Sequence, residues 1–385
     1  MAEQTPSSTT LFFGPWHRKS PFFEATLRYG CTAYDVYNHM YLPAHFHDPV
    51  VEYWHLLQHV TIWDVAAERI VEITGPDAFT FTNMLTCRDL TRCAVDQCKY
   101  APMIADDGGL INDPVLLRLG ENHFWLALAD SDAGLWARGV AMNSGLDVNI
   151  GEPDVHPIQI QGPDSKHVMN ALFGDALLNL RYYFCTQTSL DGIPVVVSRT
   201  GWTAEVGYEI YLRDGSRGDE LWERVMQAGA PYRIMPIAPC DARRIEAGMF
   251  NYDSDMRLEN NPLEITGMER LVELDAPANF IGRNALERIK KEGVGRKLVG
   301  VELGGDAIAS GLTEFWPVHY EGRPVGHITD AIHSPRLERN IGYAWVPIHL
   351  SPHGTELTAI APQGELSCRV TPLPFIDPKK AVPVG

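Results

Sequence analysis

Apolar positions along the chain change period several times, and each change marks a predicted element. Residues 21–29 form an apolar run compatible with a helix, and Trp54, Leu56, Leu57 and Val60 recur at helical intervals within 52–60. A strand-like stretch at 69–73 leads through Gly75, Pro76 and Asp77 into a helical segment at 78–85. The same phrase returns at 158–161, through Gly162, Pro163 and Asp164, into a helical 166–173. Gly75 and Gly162 stand 87 residues apart, and this repetition predicts two α+β halves built on one plan. Each half continues into a hairpin, one with arms at 100–104 and 110–119 and one with arms at 195–199 and 208–212. Each then closes on a helix, at 131–143 and at 219–228; the second carries a Leu221, Trp222, Val225 and Met226 stripe that core packing explains.

The pattern shifts again near 285, where a charged helix over 285–297 reads as a connector. Beyond it short strands dominate, at 298–303, 324–328, 341–346, 356–360 and 367–370, which predicts a small antiparallel β-barrel or sandwich. The expected organisation is a flexible arm to residue 20, two interleaved α+β domains over 21–284, the connector, a barrel over 298–377 and a disordered tail over 378–385.

Composition narrows the partners. Forty-nine acids against thirty-two Lys and Arg leave a net charge of -17, which repels phosphate backbones and anionic lipid, so neither nucleic acid nor membrane is an expected partner. No apolar run is long enough for a membrane span, and the polar start does not read as a signal peptide. Seven scattered cysteines without a CxxC pair suit reduced thiols, and the expected location is the cytoplasm.

Several chemistries lack their motifs: there is no GxGxxG after a strand, no phosphate-binding GxxxxGK[ST], no HExxH and no GxSxG. His39, His45, His47, His55 and His59 crowd into 21 residues, but no Cys or Glu stands at a fixed companion spacing and no metal centre is expected. Two acids draw attention. Asp113 precedes Pro114, which forces an extended backbone and presents the carboxylate at a strand end; a turn-stabilising Asp would read the same way. Glu209 shares one face of a predicted strand with Tyr211, a pairing that suits a heterocycle with N–H donors and equally suits a solvated strand face.

Six ordered motifs carry a resemblance. Trp63-Asp64-Val65, Ile73-Thr74-Gly75-Pro76-Asp77-Ala78, Gly108 to Asp113, Gly201 to Tyr211, Arg244 to Met249 and Ser334-Pro335-Arg336-Leu337 resemble, in that order, the glycine cleavage T-protein family. Tyr34 to Met40, Trp63 to Arg69, Asn112-Asp113-Pro114, Ala129 to Asp132 and Glu152 to Val155 are similar to its dimethylsulfoniopropionate demethylase branch. The resemblance implies an α+β fold, a three-domain cloverleaf of the aminomethyltransferase type with a C-terminal antiparallel β-barrel, around a channel for tetrahydrofolate. It further implies Asp113 beside the folate N5 region, Glu209 on the pterin ring, Tyr100 and Trp202 near the folate and Arg244 in the family's arginine motif, with Tyr211 beside Glu209. One departure stands out: the branch reads Lys-Gln where this chain has Ala204-Glu205, which changes the charge beside the folate and leaves the methyl donor open.

The implied activity moves a methyl group from a small methylated substrate, such as dimethylsulfoniopropionate, to N5 of tetrahydrofolate. A sulfonium departs neutral and needs no acid, whereas an ether or amine needs a proton donor, for which Asp113, Tyr37, His39 or Tyr100 is placed. Trp54, Tyr37 or Trp202 would cradle a cationic donor. A glycine-cleavage aminomethyltransferase, a non-catalytic folate-binding assembly factor and a folate domain fused to an oxidoreductase are the rival readings. The second would carry a Lys-Gly-Cys segment that this chain lacks after Gly248, and the third lacks a dinucleotide motif. A homodimer stays open.

Overall fold

The chain builds two sheets before it reaches its barrel, and it crosses between them early. In the computed structural model, which describes residues 13–308 and 311–384, Thr61–Asp64 is a strand of a six-stranded sheet, and the next strand, Ile70–Thr74, already belongs to a five-stranded one. The six-stranded order is Cys185–Leu190, Ile193–Ser198, Gly207–Leu212, His156–Gln161, Thr61–Asp64 and Met235–Pro236. The five-stranded order is Asn149–Gly151, Ile70–Thr74, His123–Ala127, Val115–Gly120 and Cys98–Tyr100. The crossover at 65–69 is pinned by Asp64, which accepts from the Ala66 amide (3.1 Å) and the Ser20 hydroxyl (2.5 Å).

The repeated Gly-Pro-Asp phrase is the same turn twice. Gly75 and Gly162 both sit at strongly positive φ, 116° and 118°, and a Cβ there would lie 2.7 Å from the Asp147 carbonyl and 2.3 Å from that of His59. Only glycine fits such a position. The helices Ala78–Leu85 and Ser165–Phe173 follow.

Prolines split the first expected hairpin. Tyr100 ends the edge strand that pairs with Val115–Gly120, while Met103–Ile104 pairs with Leu110–Asn112 as a separate ribbon. Pro102 and Pro114 stand at the two breaks, where a residue without an N–H cannot continue a ladder. The second hairpin, Ile193–Ser198 with Gly207–Leu212, is continuous. Every residue of Gly207–Leu212 is buried. Tyr208, Ile210 and Leu212 pack with Leu221, Trp222 and Val225 on one side, and Tyr211 packs with Trp125 and Val196 on the other. The expected alternation holds, but neither face is solvated.

The last sheet closes on itself in the order Arg296–Leu303, Arg339–Pro347, Arg323–Ser334, Trp316–Tyr320, Glu356–Ala361 and Gly364–Thr371. It is a barrel and not a sandwich, and Trp316–Tyr320 is a strand the pattern did not reveal because Pro317 interrupts it. The charged helix Arg283–Glu292 buries Ala285 and Leu286.

Residues 13–20 and 378–384, the described parts of the expected arm and tail, make specific contacts. Phe13 packs edge-on against Phe23, Tyr34 and Tyr41, and Arg18 holds Glu152 with two hydrogen bonds (2.6 and 3.1 Å); residues 1–12 of the expected arm lie outside the described residues. At the other end Ala381–Val384 forms a short helix, its first amides capped by Asp377 and its last carbonyls held by Arg199. The disorder expected for 378–384 does not occur, because partners from far along the chain supply contacts that local composition cannot show. No helix among the described residues is long and apolar enough to cross a membrane.

Candidate active site

A cavity of about 1170 Å³ opens where the two sheets, the loop at 266–271 and the C-terminal segment meet. Its position follows from two backbone interruptions. Pro114 breaks the ladder just after Asp113, and the sheet-to-sheet crossover at 65–69 carries Glu68; both carboxylates line the cavity.

Asp113 is half satisfied. Its Oδ2 accepts from the Tyr100 hydroxyl at 2.7 Å, while its buried Oδ1 has no partner. Burial pushes its carboxyl up to about 7, against the Tyr100 hydrogen bond that works to lower it. Tyr37 and Tyr100 line the same space, and burial together with the Asp113 charge raises both phenols well above their usual range. Glu68 makes no side-chain hydrogen bond or ion pair among the described residues. Burial first, then the charges of Glu209 and Asp113, drive its pKa up.

Glu209 stands one layer behind the wall. Gln159 donates to its Oε1 (2.8 Å), and Tyr211 (3.0 Å), Ser198 (3.3 Å) and Thr200 donate to its Oε2. Burial raises its pKa while these four bonds oppose the rise. Gln159 and Thr200 line the cavity, so Glu209 and Tyr211 brace that wall from behind. Trp202 is in the wall itself, its amide reaching Gln159 at 3.4 Å.

Two expected site residues are elsewhere. His39 occupies the turn between Ala33–Tyr37 and Met40–His45 at φ 61°; its side chain is 64% exposed, 3.6 Å from Asp132, and outside the cavity lining. The buried residue of that turn is Asn38, whose amide nitrogen donates to the Ala67 (3.0 Å) and Ala129 (2.9 Å) carbonyls. Arg244 is fully buried and held by Asp241 (2.7 Å), Asp255 (2.9 Å) and Asp330, with its guanidinium 5.5 Å from the Trp202 ring centroid. It stands behind the lining and supports it through Asp241, the Met249 carbonyl (3.3 Å) and Trp202. Trp54 also lies outside the lining, its ring edge-on to Tyr53.

Family models meet this geometry at both ends. The model of the GCVT N-terminal domain matches residues 22–276, and that of the glycine cleavage T-protein C-terminal barrel domain matches 296–377. The chain belongs to the glycine cleavage T-protein family. It is 37% identical over 348 residues to a dimethylsulfoniopropionate demethylase of Ruegeria pomeroyi, covering 90% of this chain and 94% of that one. It is 30% identical over 370 residues to an aminomethyltransferase of Symbiobacterium thermophilum, covering 93% and 97%. The crystal structure of the glycine cleavage system aminomethyltransferase T from Bartonella henselae shares the fold, with a TM-score of 0.84 at 20% identity over 94% of this chain and 98% of that one.

In this T-protein family member the Arg244 to Met249 and Ser334 to Leu337 motifs meet each other. Buried Glu246 accepts from Ser334 (2.5 Å), Arg336 (2.9 Å) and Tyr53 (2.7 Å), joining the α+β region to the barrel. The Ala204-Glu205 departure is also absorbed structurally: Arg243 donates to the Glu205 carboxylate (2.8 Å) and to the Ala204 carbonyl (3.0 Å), so the added acid meets a cation. Sequence reasoning missed Glu68 as a site residue. Its signal was present, an acid directly after the apolar Val65, Ala66 and Ala67 in a segment too short to turn outward. Arg88 and Lys99, half-buried in the wall, carried no such signal.

Proposed function

We propose that this chain is an enzyme, a tetrahydrofolate-dependent methyltransferase that takes a methyl group from a small cationic donor, dimethylsulfoniopropionate or a related sulfonium, and forms 5-methyltetrahydrofolate. The observation that carries this reading is the imbalance of charge in the cavity. Among the described residues Glu68 makes no side-chain hydrogen bond or ion pair, Asp113 leaves Oδ1 unpartnered, and no cationic side chain contributes to the electrostatics of either. Half-buried carboxylates without a counter-ion are costly in their charged form, which favours either a proton or a cationic ligand beside them.

The residues fit tetrahydrofolate in a second respect. The cavity is large enough for a cofactor and a small donor together, and its Gln159, Thr200 and Trp202 wall is locked by the four bonds to Glu209. Tetrahydrofolate supplies the nucleophile, the lone pair on N5. Tyr37, Tyr100 and Trp202 offer aromatic faces to a sulfonium, a cation-π contact that grows as water is excluded. Glu68 balances the donor's positive charge before transfer. Transfer to N5 would break the C–S bond with its electron pair left on sulfur, so that the donor would leave as a neutral thioether, and Asp113, with its carboxyl near 7, would be placed to take up the proton lost from N5. Holding nucleophile and methyl in line supplies the larger share of the acceleration, roughly 7 to 11 kcal/mol for well-oriented reactants.

The aminomethyltransferase of the curated relatives supports a second reading on the same fold, yet its carrier protein would have to dock on a chain of net charge -17. All seven cysteines are free and six are buried, which supports a reducing compartment and so the cytoplasm. The test is incubation with tetrahydrofolate and a panel of sulfonium, methoxyaryl and N-methyl compounds. We expect 5-methyltetrahydrofolate from dimethylsulfoniopropionate, matched mole for mole by 3-(methylthio)propionate. Product from methoxy or N-methyl donors alone would reject the sulfonium, and no product from any donor would reject methyl transfer.

A further inference from the structure

Dimethylsulfoniopropionate carries two charges, and the cavity answers only one of them. Its carboxyl carbon lies three bonds from the sulfur, so a sulfonium seated against Glu68, Asp113 and Trp202 brings the carboxylate into the same cavity. A carboxylate taken from water needs a cation or hydrogen-bond donors in place of its hydration. Among the described residues five cationic side chains line the cavity, Arg88, Lys99, Arg270, Lys379 and Lys380. None of them contributes to the electrostatics of Glu68 or Asp113. Arg88 is spent on the Tyr100 carbonyl (3.0 Å) and on Glu273 (3.3 Å), and Lys99 donates to the Asp89 carbonyl (2.9 Å). The other three belong to the loop at 266–271 and the C-terminal segment.

The wall around Trp202 holds no free cation either. Ala204, two residues on, lines the cavity with a methyl group where the demethylase branch reads lysine. Behind it the fully buried Arg243 gives its Nε to the Glu205 carboxylate (2.8 Å) and its Nη2 to the Ala204 carbonyl (3.0 Å). Arg244 is committed in the same way to Asp241 (2.7 Å), Asp255 (2.9 Å) and Asp330. Glu205 and Asp241 are the members of these pairs that line the cavity, so the donor meets the acids and not the arginines. The acid that stands where the branch has glutamine therefore consumes a cation as well.

We propose that this site reads its methyl donor as a bare cation. It holds the sulfonium, gives a donor carboxylate no ionic partner, and takes sulfoniums whose side arm ends in a neutral polar group at least as well as dimethylsulfoniopropionate, with Ala204 as the position that sets this choice. This rests on the sulfonium reading above and narrows it to one half of the donor. Specificity is a difference between two ligands. Here the carboxylate gains no charge pair, while its desolvation and the nearby acids both oppose it.

The experiment measures kcat/KM for the methylation of tetrahydrofolate by dimethylsulfoniopropionate and by its primary amide, 3-(dimethylsulfonio)propanamide, which keeps the sulfonium and removes the anion. The wild type should use the amide at least as well as the acid. Ala204→Lys returns a cation to the wall at a position whose φ of 51° already carries a side chain. It should shift the acid-to-amide ratio toward the acid by about tenfold, the worth of one partly desolvated charge pair. Comparing ratios between variants cancels the intrinsic reactivities of the two donors. Ala204→Gln, of similar reach without the charge, should keep the wild-type ratio. A preference of about tenfold for the acid in the wild type overturns the inference. So does a ratio that Ala204→Lys leaves unchanged, or one that Ala204→Gln shifts equally. Product from neither sulfonium overturns the methyl-transfer reading, and this inference with it.

Discussion

Two buried regions of this molecule concentrate charge, and they treat it in opposite ways. At the junction with the barrel Arg244 meets Asp241, Asp255 and Asp330, Arg243 meets Glu205, and Glu246 meets Arg336. In the cavity Glu68 and Asp113 form no ion pair with any cation of the described residues. The paired region repays its desolvation inside the fold and needs nothing further. The unpaired region does not, and its charge is relieved either by a proton, toward which both raised pKa values lean, or by a cationic ligand. The distinction separates residues that look alike in sequence: Arg244 and Asp113 both sit in family motifs, yet one is locked in an ion-pair network and the other faces the cavity.

The largest effect should come from breaking the junction. Arg244→Met leaves the buried Asp255 and Asp330 without their cation and should cost about 3 to 5 kcal/mol of stability in a denaturant titration; a variant that melts like the wild type would dissolve the contrast. In the cavity the expected response reverses. Asp113→Asn should lower turnover by roughly 10² or more, as for a positioned proton-transfer group, while stability stays level or rises. Activity lost in step with unfolding would class Asp113 with Arg244.

Glu209 tests the boundary between the regions, since it is satisfied by neutral partners and braces the cavity wall. Glu209→Gln should weaken tetrahydrofolate binding by about 1.5 to 3 kcal/mol, measured by titration calorimetry, the range for hydrogen bonds to a charged group. Unchanged affinity would assign Glu209 to the core alone. The smallest effect is a pH dependence. Asp113 has its folded pKa raised, so the stability it contributes is complete below the unfolded value near 4 and is lost as pH rises through about 7. The stability of Asp113→Asn relative to wild type should therefore grow between those limits by on the order of 1 to 2 kcal/mol, discounted because the cavity opens to solvent. A flat difference would mean that Asp113 is as well solvated folded as unfolded.

The sequence showed these regions unevenly. Periodicity and turn chemistry located the repeated strand, Gly-Pro-Asp and helix units and most of the barrel, because each is a local pattern of apolar positions and obligatory glycines. The motifs pointed to Asp113, Tyr37, Tyr100 and Trp202, which the fold gathers around one cavity. They pointed equally to His39 and Arg244, because a motif marks a position and says nothing of whether the side chain ends in solvent, in an ion-pair network or in a cavity. Glu68 and Lys380 were missed for the complementary reason. Glu68 had a local cue in the apolar run before it, but what turns it into the cavity is a crossover between sheets, and Lys380 is placed by Arg199, far away in sequence.

The contrast between paired and unpaired charge is tested most directly by binding, without chemistry. Dimethylsulfoniopropionate and 4-methylpentanoate share size, shape and carboxylate and differ in the sulfonium charge. Titrated into the protein saturated with tetrahydrofolate, the sulfonium should bind at least about tenfold tighter, the worth of one desolvated cation against aromatic faces and a carboxylate. Equal affinity for the two would contradict the account, because the cavity's acids would then not be waiting for a cation.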